Sequence, residues 1–458
     1  MNPSRPSSGR VAPPFRAVLL FAALLIVLGG CSSSDSFQGM SKSASGQTTR
    51  FFAMVRSQPH LEGAASIRDF GARGAYVVNE LKRDAAATQG PVIALLEQRG
   101  AKYQAYWIAN MIWVEGDDET RKQLAELPEV ESIEPDATIT LNDPVVPMSS
   151  TIAASPDTTG SDAQFNVSRV HAPDVWSQGY RGKGVVVGII DTGVYPTHAA
   201  LTGRSLGAAN MVDKTCVACD ENGHGTHVTG TILGTGSIGV APEAKFVSCR
   251  ALNKYGSGTI SSVVGCMQWM AGLTSDRPRV INMSLGGGFS DPMAEPIKHL
   301  LDIGTLVVAA AGNQGSCKSV GSPAGFGDVL AVGALTEDET ANKMAAYSSG
   351  GPSLGVGVNK PDVVAQGSLV NSAWIGSPTA YKTISGTSMA SPAVAGVAAL
   401  LLSAKPDLTP ADLAEILKWT ADGNVTGAKC AAPNSFGTGL VDANRALEEA
   451  LQVRARPQ

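Results

Sequence analysis

An α/β fold, with a parallel sheet carrying helices on both faces and a small α+β unit preceding it, is the architecture this 458-residue sequence predicts. Short β-branched apolar runs at residues 185–190, 245–248, 280–283, 306–311 and 329–332 alternate with helical patterns at 225–233, 260–270 and 295–301. Runs buried on both faces and separated by helices are the pattern of a parallel sheet. A 43% hydrophobic composition with only 16% charged residues supplies a sizeable core, and 51 glycines suit tight turns and closely packed helices.

From the N-terminus, Arg5, Arg10 and Arg16 precede an apolar run over residues 17–28 and then Gly29-Gly30-Cys31. The run is shorter than the roughly 20 residues a membrane span needs, so residues 1–30 read as an export signal. Leu28-Gly29-Gly30-Cys31 resembles the bacterial lipobox, which implies a lipid on Cys31 and a membrane partner reached through it. The serine-rich residues 31–50 read as a flexible tether.

Residues 51–141 form a separate unit. A helical pattern at 79–99 breaks at Gly90-Pro91, and strands at 103–108 and 111–114 flank an Ala109-Asn110 turn. A helix at 118–127 begins with acids, as its dipole favours, and a short strand follows at 130–134. Residues 142–163, rich in Pro, Ser and Thr without periodicity, are an exposed linker. Beyond the sheet region, a long small-residue helix spans 388–403, and another at 410–421 is capped by Thr409 with Pro410 in its first turn.

Four segments carry chemistry. The run at 185–190 ends on Asp191, at the carboxyl edge where open α/β sheets place their sites. Asn222-Gly223-His224-Gly225-Thr226-His227 sets a candidate base, His224, at a helix start, with His227 read as a packing or hydrogen-bonded residue. Ala311-Gly312-Asn313 ends another strand on an amide able to donate to an oxyanion. Ser385-Gly386-Thr387-Ser388-Met389-Ala390-Ser391-Pro392 offers Ser388 as nucleophile where a helix start exposes N–H groups. Gly-Thr-Ser alone is most often a helix cap, and a lone Asp after a strand is usually a turn former; four such segments in one chain are a different matter.

Their order, Asp then His then Ser, resembles the subtilisin-like serine proteases, over about residues 164–451. The resemblance implies an endopeptidase acting on proteins or peptides through an acyl-enzyme. Ser388 would attack, His224 would serve as base and acid, Asp191 would orient the imidazole, and Asn313 would form the oxyanion hole with the Ser388 N–H. Ser284, Leu285 and Gly286 would pair with substrate backbone. Gly312 would lie on the opposite wall and Gly321 at the base of the primary pocket, left open for large apolar or aromatic residues. Residues 51–141 resemble the inhibitory propeptide of the bacillopeptidase F type, so the chain would be a self-processed zymogen with its own propeptide as partner. Residues 164–458 would be the peptidase domain. The implied location is the bacterial envelope, lipid-anchored, with release after processing, and the expected state is monomeric. A catalytically silent domain serving as a binding module is the competing function, and an esterase or ligase using the same residues a third.

Two departures stand out. Gln366 occupies a position where the family usually has proline, and residues 234–240 are short where several relatives carry a calcium loop, so no cofactor is expected. Six cysteines besides Cys31 form an even set in an exported chain, which favours disulfides. Cys216 and Cys219 could be a local bridge, a metal half-site or free thiols, and a strand-to-helix bridge would join Cys249 to Cys266; zinc lacks a second pair of ligands. A net charge of −5 and no basic run after the signal speak against nucleic acid.

Overall fold

The computed structural model describes residues 48–57, 59–141, 163–213 and 216–453. The signal, Cys31, nearly all of the tether and the linker lie outside the described residues.

Seven parallel strands make the main sheet, in the order Val363–Gln366, Leu330–Leu335, Leu306–Ala310, Val280–Met283, Val186–Asp191, Lys245–Arg250, Ser205–Asn210. After Val186–Asp191 the chain builds one side of the sheet, then returns to build the other from Val280–Met283. The strand order therefore reverses beside Asp191, and a crevice opens there at the carboxyl ends. The helices His224–Leu233 and Thr387–Ala404 pack together on one face, in an apolar cluster that includes Val228, Ile232, Met389 and Val397. The helices Ile260–Gly272 and Ala294–Ile303 cover the other face.

Thr387–Ala404 has the length and hydropathy of a membrane span, but its residues are almost all buried in the protein core. Pro392 interrupts it: the proline has no N–H to offer the Ser388 carbonyl one turn back. That carbonyl accepts instead from Ser284 Oγ at 2.9 Å. Asn282 donates through Nδ2 to Ser284 Oγ at 3.0 Å and accepts from Ser391 Oγ at 2.7 Å, which ties the strand Val280–Met283 to the start of this helix.

The N-terminal unit is a four-stranded antiparallel sheet ordered Lys102–Tyr106, Met111–Gly116, Thr49–Val55, Val130–Pro135. It differs from the sequence expectation at its start. Its first strand begins at Thr49, inside the expected tether, and the helix expected from residue 79 begins at Phe70, capped by Asp69. Alternate residues of Thr49–Val55 serve two cores. Phe51, Ala53 and Val55 fill the unit's own, with Val92, Leu96 and Leu124. Phe52 joins Val77, Leu81 and Ile108 in a cluster shared with Val264, Met267, Ile297 and Leu300 of the main domain. Polar contacts reinforce the join: the N–H groups of Trp107 and Ile108 donate to Gln268 Oε1, and Asp136 accepts from the Ser261 N–H at 2.9 Å in the first turn of Ile260–Gly272.

The six cysteines among the described residues are paired, as Cys216 with Cys219, Cys249 with Cys266 and Cys317 with Cys430. Of the readings left open for Cys216 and Cys219, the local bridge holds.

Candidate active site

Asp191 ends its strand fully buried. Its Oδ1 accepts from the Thr192 N–H at 2.7 Å, and both its oxygens face His224 Nδ1, at 2.8 and 3.0 Å. With Nδ1 donating to a carboxylate, the neutral ring keeps Nε2 as its acceptor, the tautomer a general base needs. His224 opens its helix and Ser388 is the second residue of its own. The two helices touch at equal distances from these residues. A methyl placed on Gly396, eight residues past Ser388, would lie 3.2 Å from the carbonyl oxygen of Ile232, eight past His224. Ser388 Oγ donates to the Ser284 carbonyl at 3.3 Å.

Asn313 follows the strand Leu306–Ala310, and its Oδ1 accepts from both the N–H and the Oγ1 of Thr387, each at 2.9 Å. These two donors fix which way the amide faces. Its Nδ2 lies 3.1 Å, and Ser388 N 3.7 Å, from the place a methyl on Gly386 would occupy. Two N–H donors thus approach one small region beside Ser388, the arrangement that stabilises an oxyanion.

Residues 138–141 lie in the cleft as the middle strand of three. On one side Thr138–Thr140 pairs antiparallel with Ser257–Thr259, and the Leu141 N–H donates to the Gly256 carbonyl at 2.8 Å. On the other, Thr140 and Gly286 exchange both backbone hydrogen bonds, at 3.1 and 3.0 Å. The Ile139 side chain is buried, in a cluster with Ile260, Leu285 and Met293. A segment of the N-terminal unit therefore fills the strand position expected for substrate.

Gly312 and Gly321 line a small cleft beside Gly286 and Gln314. Gly321 also meets a neighbouring backbone closely. A Cβ there would stand 1.9 Å from the Gly287 carbonyl oxygen, so glycine is required by a close backbone approach. Gln366 is buried with its Nε2 donating to the Ser368 carbonyl at 3.1 Å.

Asp220 was not singled out from sequence, although an aspartate four residues before a helix start is an Asx-turn signal. It is buried, and its Oδ1 accepts from Thr192 Oγ1 and from the N–H groups of Asn222 and Gly223. Its Oδ2 accepts from the N–H and Oγ1 of Thr226. One carboxylate so clamps the residue after Asp191 to the first turn of the His224 helix. Asp220→Ala is expected to lower kcat on the order of 10²-fold with KM little changed, because misplacing a reacting group by about 1 Å costs that much. Steady-state peptide hydrolysis checks it, and Asp220→Asn, which keeps Oδ1, should recover part of the loss.

His227 donates through Nε2 towards the carbonyls of Val370 and Lys382. Burial first, and then the neighbouring His224, pushes it down to about 3. Above pH ~6.5 the folded and unfolded chains both hold it neutral, so it costs nothing there. As the pH falls from about 6.5 towards 3, the unfolded chain takes up a proton that the fold refuses. Stability is then lost by at most about 1.4 kcal/mol per pH unit. His227→Gln should flatten this slope, measured as urea midpoints of the Ser388→Ala protein between pH 7 and 4.

A buried Asp–His pair and a serine at a helix start, at the carboxyl edge of a parallel sheet, define the class of serine hydrolases that work through an oxyanion hole. The family model described as the subtilase family matches residues 182–439, and the chain belongs to that family of serine-type endopeptidases. It is 36% identical over 315 residues to serine protease AprX of Bacillus subtilis, covering 60% of this chain and 70% of the relative. It is 40% identical over 265 residues to subtilisin DY of Bacillus licheniformis, covering 56% and 90%. Alkaline serine exoprotease A of Vibrio alginolyticus is 36% identical over 332 residues, covering 71% and 58%.

Proposed function

We propose that this chain is an exported endopeptidase made as a latent precursor, which cuts peptide bonds with Ser388 as nucleophile and His224 as base and then acid. Asp191 orients the imidazole and stabilises its charged form, and Asn313 with the Ser388 N–H holds the oxyanion. The chemistry calls for no cofactor. Residues 51–141 act as an inhibitor in cis, the lipid on Cys31 tethers the latent form to the envelope, and cutting in the linker separates that anchor from the peptidase. The observation that carries the reading is the buried Asp191–His224 pair at the start of a helix that packs against the helix carrying Ser388. A strand-shaped tail in the cleft favours extended peptides as substrates over small esters.

Fluorophosphonate labelling tests it. Processed wild type should label on Ser388 and hydrolyse peptides, and Ser388→Ala should do neither and accumulate as full-length, membrane-bound precursor. Peptidase activity in Ser388→Ala equal to wild type would overturn the reading.

A further inference from the structure

The bridge between Cys216 and Cys219 stands apart from the other two. Cys249 and Cys266 are fully buried, one on a strand of the main sheet and the other on the helix over it, so their bridge is shut off from solvent. Cys317 and Cys430 close a stretch of 113 residues, and a long closed stretch constrains the unfolded chain most. Cys216 and Cys219 are only three positions apart, so their bridge adds little of that kind. Both are partly exposed, and Val217 between them is 57% exposed. A thiol in solution can reach this sulfur pair.

Its surroundings tie the bridge to the site. The Cys216 carbonyl accepts from Asn210 Nδ2 at 2.5 Å, at the end of the edge strand Ser205–Asn210. Cys219 Sγ accepts from Nη1 of the buried Arg250 at 3.5 Å, and Nη2 of the same guanidinium pairs with Glu221 at 2.6 Å. The Cys219 carbonyl oxygen lies 1.9 Å from where a Cβ on Gly193 would stand, so its backbone rests directly against the chain leaving Asp191. Asp220, the next residue, is the carboxylate that holds Thr192 and the first turn of the His224 helix. The short span closed by the bridge therefore ends on that clamp.

We propose that the Cys216–Cys219 bridge is a thiol-exchange site that sets the rate of this enzyme, closed in the fast form and opened by a dithiol. This rests on the roles of Asp191, His224 and Ser388 proposed above. One thiolate of the dithiol attacks Cys216 Sγ. The bond to Cys219 breaks, and its electron pair leaves on Cys219 as a thiolate beside the Arg250 guanidinium, which favours the anion. The second thiol of the reductant, on losing its proton, attacks its partner sulfur in the mixed bond. Cys216 is released and takes a proton from water, the reductant leaves as a disulfide, and two electrons have passed to the protein. With the span open, the Cys219 thiolate competes with Glu221 for Arg250, and Asp220 shifts with its neighbour. A displacement milder than loss of the Asp220 carboxylate costs on the order of tenfold in kcat, with KM little changed.

The test holds the processed enzyme in mixtures of oxidised and reduced dithiothreitol, traps free thiols with iodoacetamide and locates them by peptide mass, with peptide hydrolysis measured on the same samples. Cys216 and Cys219 should become labelled while the other four cysteines stay bridged. In step with that labelling kcat should fall on the order of tenfold, and reoxidation should restore it. The paired substitution Cys216→Ser with Cys219→Ser should start at the lowered rate and no longer respond to dithiothreitol. Opening of the Cys317–Cys430 bridge first, or full labelling of Cys216 and Cys219 with kcat unchanged, overturns the proposal. A doubly substituted enzyme as fast as oxidised wild type does the same. An oxidised enzyme that fails to take a fluorophosphonate on Ser388 overturns the protease reading instead, and the order of thiol opening, read by mass alone, shows which of the two has failed.

Discussion

Asp191→Asn is expected to lower kcat by about 10⁴ with KM nearly unchanged, the size of effect that follows loss of this carboxylate in serine proteases. Both oxygens of Asp191 lie within hydrogen-bond range of His224 Nδ1, in a place without solvent. An asparagine keeps the shape and can offer Nδ1 an N–H in place of a lone pair. The ring then holds its proton on Nε2, where it must instead receive one from Ser388, and no charge remains to stabilise the imidazolium. Burst titration of active sites followed by steady-state hydrolysis of a peptide substrate checks the prediction. A loss below tenfold would remove Asp191 from the mechanism.

Asn313→Ala is expected to lower kcat by about 10² to 10³, the cost of one oxyanion donor. Thr387 holds the amide by its oxygen, so the nitrogen faces the region shared with the Ser388 N–H. Truncation leaves the Ser388 donor in place, and turnover survives at a reduced rate. This sets it apart from Ser388→Ala, which leaves no acyl acceptor. The same rate loss should slow self-processing, visible as precursor that persists and then matures. An unchanged rate would show that the oxyanion is held elsewhere.

How far the sequence led depends on which forces act locally. The central strands and the helix starts under His224 and Ser388 were legible because their residues are buried on all sides, and uniform burial writes itself as apolar runs. The edge strand Ser205–Asn210 was not: Ser-Leu-Gly-Ala-Ala-Asn is only partly buried and holds no β-branched residue. The first half of the helix Phe70–Thr88 was hidden by Gly71 and Gly74, which argue against a helix in isolation. Gly74 is explained only by tertiary structure, since the Arg277 guanidinium stands 1.8 Å from where its Cβ would be. The tail at Thr138–Thr140 has too few residues to show a period, and its strand partners lie far along the chain. Likewise Gly321 reads as an opening in one dimension and as a tight contact in three.

Pro392 and Ser284 together limit how this enzyme can be altered. Because the proline leaves the Ser388 carbonyl without a helical partner, that carbonyl is held by the side chain of Ser284, whose own carbonyl accepts from Ser388 Oγ. One residue thus holds Ser388 at two points, its backbone carbonyl through a hydroxyl and its hydroxyl through a carbonyl. A substitution at Ser284 will therefore disturb the setting of Ser388 itself, whatever trait it is aimed at. Gly321 is closed to side chains by the Gly287 carbonyl. Ile260, Leu285 and Met293 lie buried in one apolar cluster with Ile139, where aliphatic side chains of similar volume can be exchanged for one another at small cost.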